Sequence, residues 1–196
     1  GGIVKSGLVP PEQVYAADPS EQNLNRVQKE YGICVTQDNL VPAKKCDILV
    51  LSVKPYLYAD VIEEIRATVK QDVVIVMIAA GQTIAVNEAR FGRNIKIVRA
   101  MPNTPALVGE GMAALCANSY VTDEEKDEVR EIFESFGKAE FVGENMMDVV
   151  AGVSGSSPAY VYMFIEALAD GAVLQGMPRQ QAYTFAAQAV LGSARM

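Results

Sequence analysis

The chain has 196 residues, half of them hydrophobic and 21% charged, a composition that supports one globular domain or two small ones. Its net charge of −7, with no basic block, argues against nucleic acid or an anionic membrane as the main partner, and no apolar run approaches the roughly 20 residues of a membrane span. Histidine is absent, which removes serine–histidine, cysteine–histidine and histidine–metal chemistry. The three cysteines (Cys34, Cys46, Cys116) lack metal-site spacing and read as reduced thiols of a cytoplasmic protein.

The first residues read as the tail of a helix stopped by Gly7, with Pro10 and Pro11 beyond. A chain opening in this way is expected to lack a segment upstream. Val14–Ala17 is a short apolar strand ended by Asp18-Pro19-Ser20. Helical spacing through Leu24, Val27 and Tyr31 follows, closed by Gly32. Residues 33–36 form another strand, and 38–45 a short helix or loop.

Ile48–Val53 is apolar without alternation, the pattern of a strand buried on both faces of a parallel sheet. Lys54 follows it directly, at the carboxyl end of a strand, where open α/β sheets bind ligands. A lysine leaving the sheet for solvent fits equally well. A helix over 56–69 presents Val61, Ile62, Ile65 and Val69 on one face. Val73–Ile78 is again continuously apolar and ends in Ala79-Ala80-Gly81, small residues that let a ligand or backbone approach. A helix near 84–91 leads to a strand at 95–98. In the following Arg99–Pro105, two prolines hold the backbone extended and exclude a helix. Residues 111–116 form a strand. Thr122-Asp-Glu-Glu125 is a capping box opening a helix to Phe136, with Gly137 as its stop, and 139–142 is the last strand.

Beyond it nothing reads as a strand. Ser157 is the expected N-cap of a long apolar helix over 158–174, with Pro158 at the first helical position. The first-turn amides and the hydroxyls of Ser154, Ser156 and Ser157 would then share one small volume able to attract a carboxylate or phosphate. A capped helix at a domain junction accounts for the same residues. The helix is apolar nearly all round, so its burial implies a partner subunit or further helices. Glu166 and Asp170 stand four apart, as catalytic acids or as partners for Arg179. Gly176 ends this helix and Pro178 starts another that runs to Met196.

The pattern is α/β: Rossmann-like units with a mostly parallel sheet, then an all-helical domain. Such a sheet commonly binds a dinucleotide, yet Gly-x-Gly-x-x-Gly is absent. Asp18 falls where an acidic side chain holds the adenosine ribose, which leans toward NAD(H) over NADP(H).

Five segments occur in fixed order: Val53-Lys-Pro55, Ala79-Ala-Gly81, Arg99-Ala-Met-Pro-Asn-Thr-Pro105, Asp148 through Tyr160, and Glu166-Ala-Leu-Ala-Asp-Gly171. Together they resemble the pyrroline-5-carboxylate reductases over essentially the whole chain. That resemblance implies a dinucleotide-binding domain over 1–144 lacking its first strand, and the start of a helical dimerisation and substrate domain over 145–196. It implies reduction of 1-pyrroline-5-carboxylate to proline by NAD(P)H in a homodimer or higher homo-oligomer. Ser52, Val53, Lys54, Pro55, Ala79, Gly81, Met101, Pro102 and Asn103 are then expected to line the cofactor, and Ser154 and Ser156 to position substrate. No metal is implied. The family's glycine loop would precede residue 1 and a Ser-Pro-Gly-Gly-Thr-type loop would follow Met196. Ser157 stands where the family usually has glycine.

Two other readings stay open. One is a non-catalytic binding or oligomerisation module, inactive as these 196 residues alone. The other is a related Rossmann dehydrogenase acting on a 3-hydroxy acid, against which stands the absence of any lysine after Lys138.

Overall fold

A computed structural model describes all residues, 1–196. They form two compact units, Gly1–Val150 and Ala151–Met196. No helix is long and apolar enough to cross a membrane.

The first unit alternates short strands and helices whose ends are set by local chemistry. After α1 (Gly2–Lys5) comes β1 (Tyr15–Ala17), then α2 (Glu21–Tyr31). The Ser20 hydroxyl accepts the Asn23 N–H at the start of α2, and Gly32 closes it in the left-handed conformation. β2 (Cys34–Thr36) and α3 (Leu40–Lys45) follow. β3 (Ile48–Leu51), α4 (Tyr58–Ile65), β4 (Val74–Met77), α5 (Ile84–Phe91) and β5 (Lys96–Met101) make the two crossovers of a parallel sheet. β6 (Gly111–Ala117) runs antiparallel to β5; α6 (Asp123–Glu134) carries the expected Thr122–Glu125 capping box and leads to β7 (Gly137–Phe141).

β3 to β7 form one five-stranded sheet in sequence order, while β1 and β2 form a separate parallel pair. Val74, Val76, Val98, Ala100, Ala113 and Leu115 cluster on one side of the sheet with Val129 and Phe133 of α6. Each such large apolar side chain contributes about 1.5–3 kcal/mol when fully buried. The alternate residues Ile75, Met77 and Ile97 are buried as well, so β4 and β5 are covered on both faces.

β3 departs from its expectation. It is the outer strand of its sheet, and Val50 is 41% exposed. The reason is a cavity of about 800 Å³, lined by Tyr15 and Ala17 of β1, Ile48 to Leu51 of β3, and Val61 and Ile65 of α4. β1 and β3 each pair with one neighbour only, and both edges border this cleft.

Three other boundaries differ from the sequence expectations. The 56–69 helix is a 3₁₀ turn at Pro55–Leu57 followed by α4, which ends at Ile65. Thr104 and Pro105, expected to stay extended, instead open a 3₁₀ turn over Thr104–Val108, because Pro105 at its start needs no N–H partner and Gly109 closes it at φ 78°. Helix α6 ends at Glu134, and Gly137 opens β7.

The second unit is helical. α7 (Met147–Val150) at the end of the first unit precedes a π-helical turn at Ala151–Gly155, then α8 (Ser157–Leu174) and α9 (Arg179–Arg195). Ala169, Ala182 and Ala186 are buried between α8 and α9, and their small side chains let the two backbones approach. Asp170 pairs with Arg179. Tyr160, Tyr162, Met163, Phe164 and Phe185 remain exposed.

Candidate active site

Three parallel strands, β3, β4 and β5, end side by side, and each end carries residues picked out from the sequence. Ser52, Val53, Lys54 and Pro55 follow β3; Ala79 and Gly81 follow β4; Met101 ends β5 and Pro102 and Asn103 follow it. In open α/β sheets ligands bind outside the carboxyl ends of the strands. Lys54 and Pro55 are exposed there, and Met101 is buried. Gly81 has φ 73°, and a Cβ added to it would meet nothing within 4 Å. The space beside this backbone is therefore open, as the close approach of a phosphate-bearing ligand requires. The Asn103 carboxamide oxygen accepts the Met112 N–H at 2.8 Å, which anchors the turn after β5 to the start of β6.

Asp18 follows β1, at the end of the other parallel pair. Its carboxylate accepts the Ser20 N–H at 2.7 Å and the Asn23 side-chain amide at 3.4 Å, so it helps to cap α2.

Ser154 and Ser156 lie in the second unit. The N-cap is Ser156, one residue before the expected Ser157, and its side chain makes no capping bond. A π turn over Ala151–Gly155 leads up to the start of α8. The Ser156 N–H donates to the Ala151 carbonyl at 2.8 Å, the i−5 bond of a π turn. That amide, which precedes the helix, is spent in the turn before it. Hydroxyls on a locally widened helical turn remain, and π turns of this kind recur at functional sites.

Further side chains tie these segments together: Tyr58, Gln82 and Glu144, which lie outside the five segments, and Arg99, which opens the third. The ring of Tyr58, the first residue of α4, is fully buried. Its hydroxyl donates to the Leu51 carbonyl at 2.8 Å and accepts the Ala79 N–H at 3.2 Å. Burial pushes its pKa up, outweighing the opposing pull of the Ala79 and Ile78 backbone. At the rim, Gln82 donates to the Pro55 carbonyl at 3.3 Å while its oxygen accepts from Arg90 at 2.9 Å. Arg99, 4% exposed in mid-β5, donates to Glu144 at 3.2 Å, and the same carboxylate oxygen accepts the Ile84 N–H at 2.9 Å. The signal for Tyr58 was its position one turn before Ile62 on the apolar face of α4, since a buried phenol needs a polar partner.

Fold and strand-end geometry together define a class: oxidoreductases with a Rossmann-like dinucleotide domain followed by a helical domain. Residues 1–81 match a family model described as NADP oxidoreductase coenzyme F420-dependent, and residues 144–196 match one described as pyrroline-5-carboxylate reductase dimerisation. A pyrroline-5-carboxylate reductase of Escherichia coli (strain K12) is 47% identical over 196 residues, covering all of this chain and 73% of the relative. The solved pyrroline-5-carboxylate reductase of Coxiella burnetii superposes with a TM-score of 0.94 at 33% identity, covering 100% of this chain and 73% of that one. The Plasmodium falciparum pyrroline carboxylate reductase, solved with NADP bound, gives a TM-score of 0.90 at 34% identity, covering 100% and 71%. The chain belongs to the pyrroline-5-carboxylate reductase family.

Proposed function

We propose that this chain carries the working residues of an NAD(P)H-dependent imine reductase that converts 1-pyrroline-5-carboxylate to proline. The observation that supports this most is the alignment of three parallel strand ends carrying Ser52–Pro55, Ala79–Gly81 and Met101–Asn103. Bound NAD(P)H supplies the hydride. The chain's part is to hold and orient. Lys54 offers an exposed positive charge beside the cofactor phosphates. Gly81 leaves room for the ligand to approach its backbone, and Asn103, tied to Met112, presents a fixed turn at the end of β5. Asp18 belongs to the same reading, though its carboxylate is shared with the start of α2. Ser154 and Ser156 position the substrate by hydrogen bonding to its carboxylate. A protonated imine accepts hydride readily, so positioning accounts for most of the rate and no histidine is needed.

The domain roles follow. Residues 1–144 bind the dinucleotide, and 145–196 serve substrate positioning and self-association. A further parallel strand seated in the cleft between β1 and β3 would give the order β2-β1-strand-β3-β4-β5, that of dinucleotide-binding sheets. The exposed Tyr162, Phe164 and Phe185 support a homodimer or higher homo-oligomer. Three free thiols and the acidic charge fit a cytoplasmic protein that binds a small molecule and not nucleic acid.

A pair of substitutions separates the roles. Asn103→Ala is expected to weaken NADPH binding about tenfold, and Ser156→Ala to raise KM for the imine about tenfold with little change in kcat, each the loss of one or two hydrogen bonds. The steady-state constants of both variants check this. Unchanged constants in both would sink the site assignment.

A further inference from the structure

We propose that Tyr58 is a positioning residue for the cofactor: its buried hydroxyl fixes the spacing between the segments that follow β3 and β4. The proposal rests on the reading in which Ser52–Pro55 and Ala79–Gly81 line NAD(P)H.

The β3–β4 ladder runs from Ile48↔Val74 to Leu51↔Met77 and stops there. The next residues on each chain are those proposed to meet the cofactor. A parallel ladder that ends leaves the chains free to splay, because no further backbone bond joins them. Tyr58 takes over at that point. Its hydroxyl donates to the carbonyl of Leu51, the last paired residue of β3, and accepts the N–H of Ala79, two residues past the end of β4. A phenol both donates and accepts, so one oxygen joins a carbonyl on one chain to an amide on the other. A water could do the same, but this oxygen is carried on a ring with 0% exposure and is held in place. Gln82 adds a second tie at the rim, from its side-chain amide to the Pro55 carbonyl. The buried tie sets the spacing and the outer one limits its opening.

Without the hydroxyl, the Leu51 carbonyl and the Ala79 N–H would lose this partner in a dry setting. The segments would shift or admit water, and the cofactor would meet a wider, less ordered groove. Phenylalanine keeps the ring and its packing, so Tyr58→Phe tests the hydroxyl alone.

The experiment uses the Escherichia coli relative with its aligned segment replaced by this chain, fluorescence titration with NADPH and amide hydrogen exchange. The parent is compared with Tyr58→Phe and with Val129→Ala, which opens a hole in a core cluster that does not include Leu51, Tyr58 or Ala79. Tyr58→Phe is expected to bind NADPH about three- to tenfold more weakly, the range for one lost hydrogen bond. Its Ala79 amide should exchange faster, while Val129→Ala binds NADPH within about twofold of the parent although its melting temperature falls. A merely structural role would weaken both variants alike, and that result overturns the proposal. So does NADPH affinity unchanged in Tyr58→Phe, or unchanged protection at Ala79. If the parent itself shows no affinity for NADPH, the cofactor reading fails, and this proposal with it.

Discussion

Lys96 and Glu125 show how one residue pair joins the sheet to the helix that covers it. The Lys96 ammonium donates to the Glu125 carboxylate at 2.6 Å, and the same carboxylate closes the capping box by accepting the Thr122 N–H at 3.0 Å. Burial pushes the Glu125 pKa up, but the bonds from Lys96 and Thr122 outweigh it and hold the group below its usual value. The Lys96 pKa is raised, chiefly by its bond to Glu125. A depressed acid stabilises the fold above its unfolded pKa and loses that contribution as pH falls through the folded value. A raised base does the reverse at the alkaline end. Glu125→Gln should therefore melt lower than the parent near neutrality, with the gap closing below about pH 4 and above about pH 10.5. Melting temperatures across that range check this; a gap that persists at both extremes would contradict it. The capping box itself was legible, since it depends on residues three apart. The pairings of Lys96 with Glu125, Tyr58 with Ala79 and Arg99 with Glu144 were not, because the partners stand 29, 21 and 45 residues apart. The π turn before α8 was not legible either, because no cap or spacing in the sequence marks the bond from the Ser156 N–H to the Ala151 carbonyl.

At the scale of elements, local signals placed most of the fold. Ser20 and Gly32 bracket α2, and Thr83 and Gly92 bracket α5, because caps satisfy backbone groups with neighbours in sequence. The end of α6 shows where that logic stops. A glycine after a helical run reads as a left-handed stop, yet Gly137 serves as the first residue of β7. A Cβ there would stand 2.1 Å from the Gly111 carbonyl oxygen across the β6–β7 pair. The requirement is a close approach between strands, which no local pattern reveals. Gly137→Ala should force these strands apart and destabilise the fold by about 2–4 kcal/mol, lowering the melting temperature by roughly 5–15 °C for a chain of this size. Calorimetry measures it directly. A loss below about 0.5 kcal/mol, the range of an ordinary surface change, would mean that the strand pair yields without strain.

For the whole molecule, alternating apolar strands and helices gave the α/β class, and the switch to unbroken helix gave a second part of different character. What the sequence pattern could not show was the division of the sheet into β1–β2 and β3–β7, with Val50 of a strand expected to be buried facing a cleft instead. An apolar run marks a strand or helix but not which of its faces the fold covers, and Val50, Tyr162, Phe164 and Phe185 stay exposed here. We propose that these residues hold a nicotinamide cofactor and an imine so that hydride passes directly between them. The measurement that tests it most directly uses the Escherichia coli relative with its aligned segment replaced by this chain. That protein is given pyrroline-5-carboxylate and NADPH carrying deuterium at both hydrogen positions of nicotinamide C4, and the product is read by mass spectrometry and NMR. The account predicts proline with a single deuterium on the ring carbon that was the imine carbon. A folded protein that binds NADPH yet yields no proline, or yields proline without deuterium at that carbon, would contradict it.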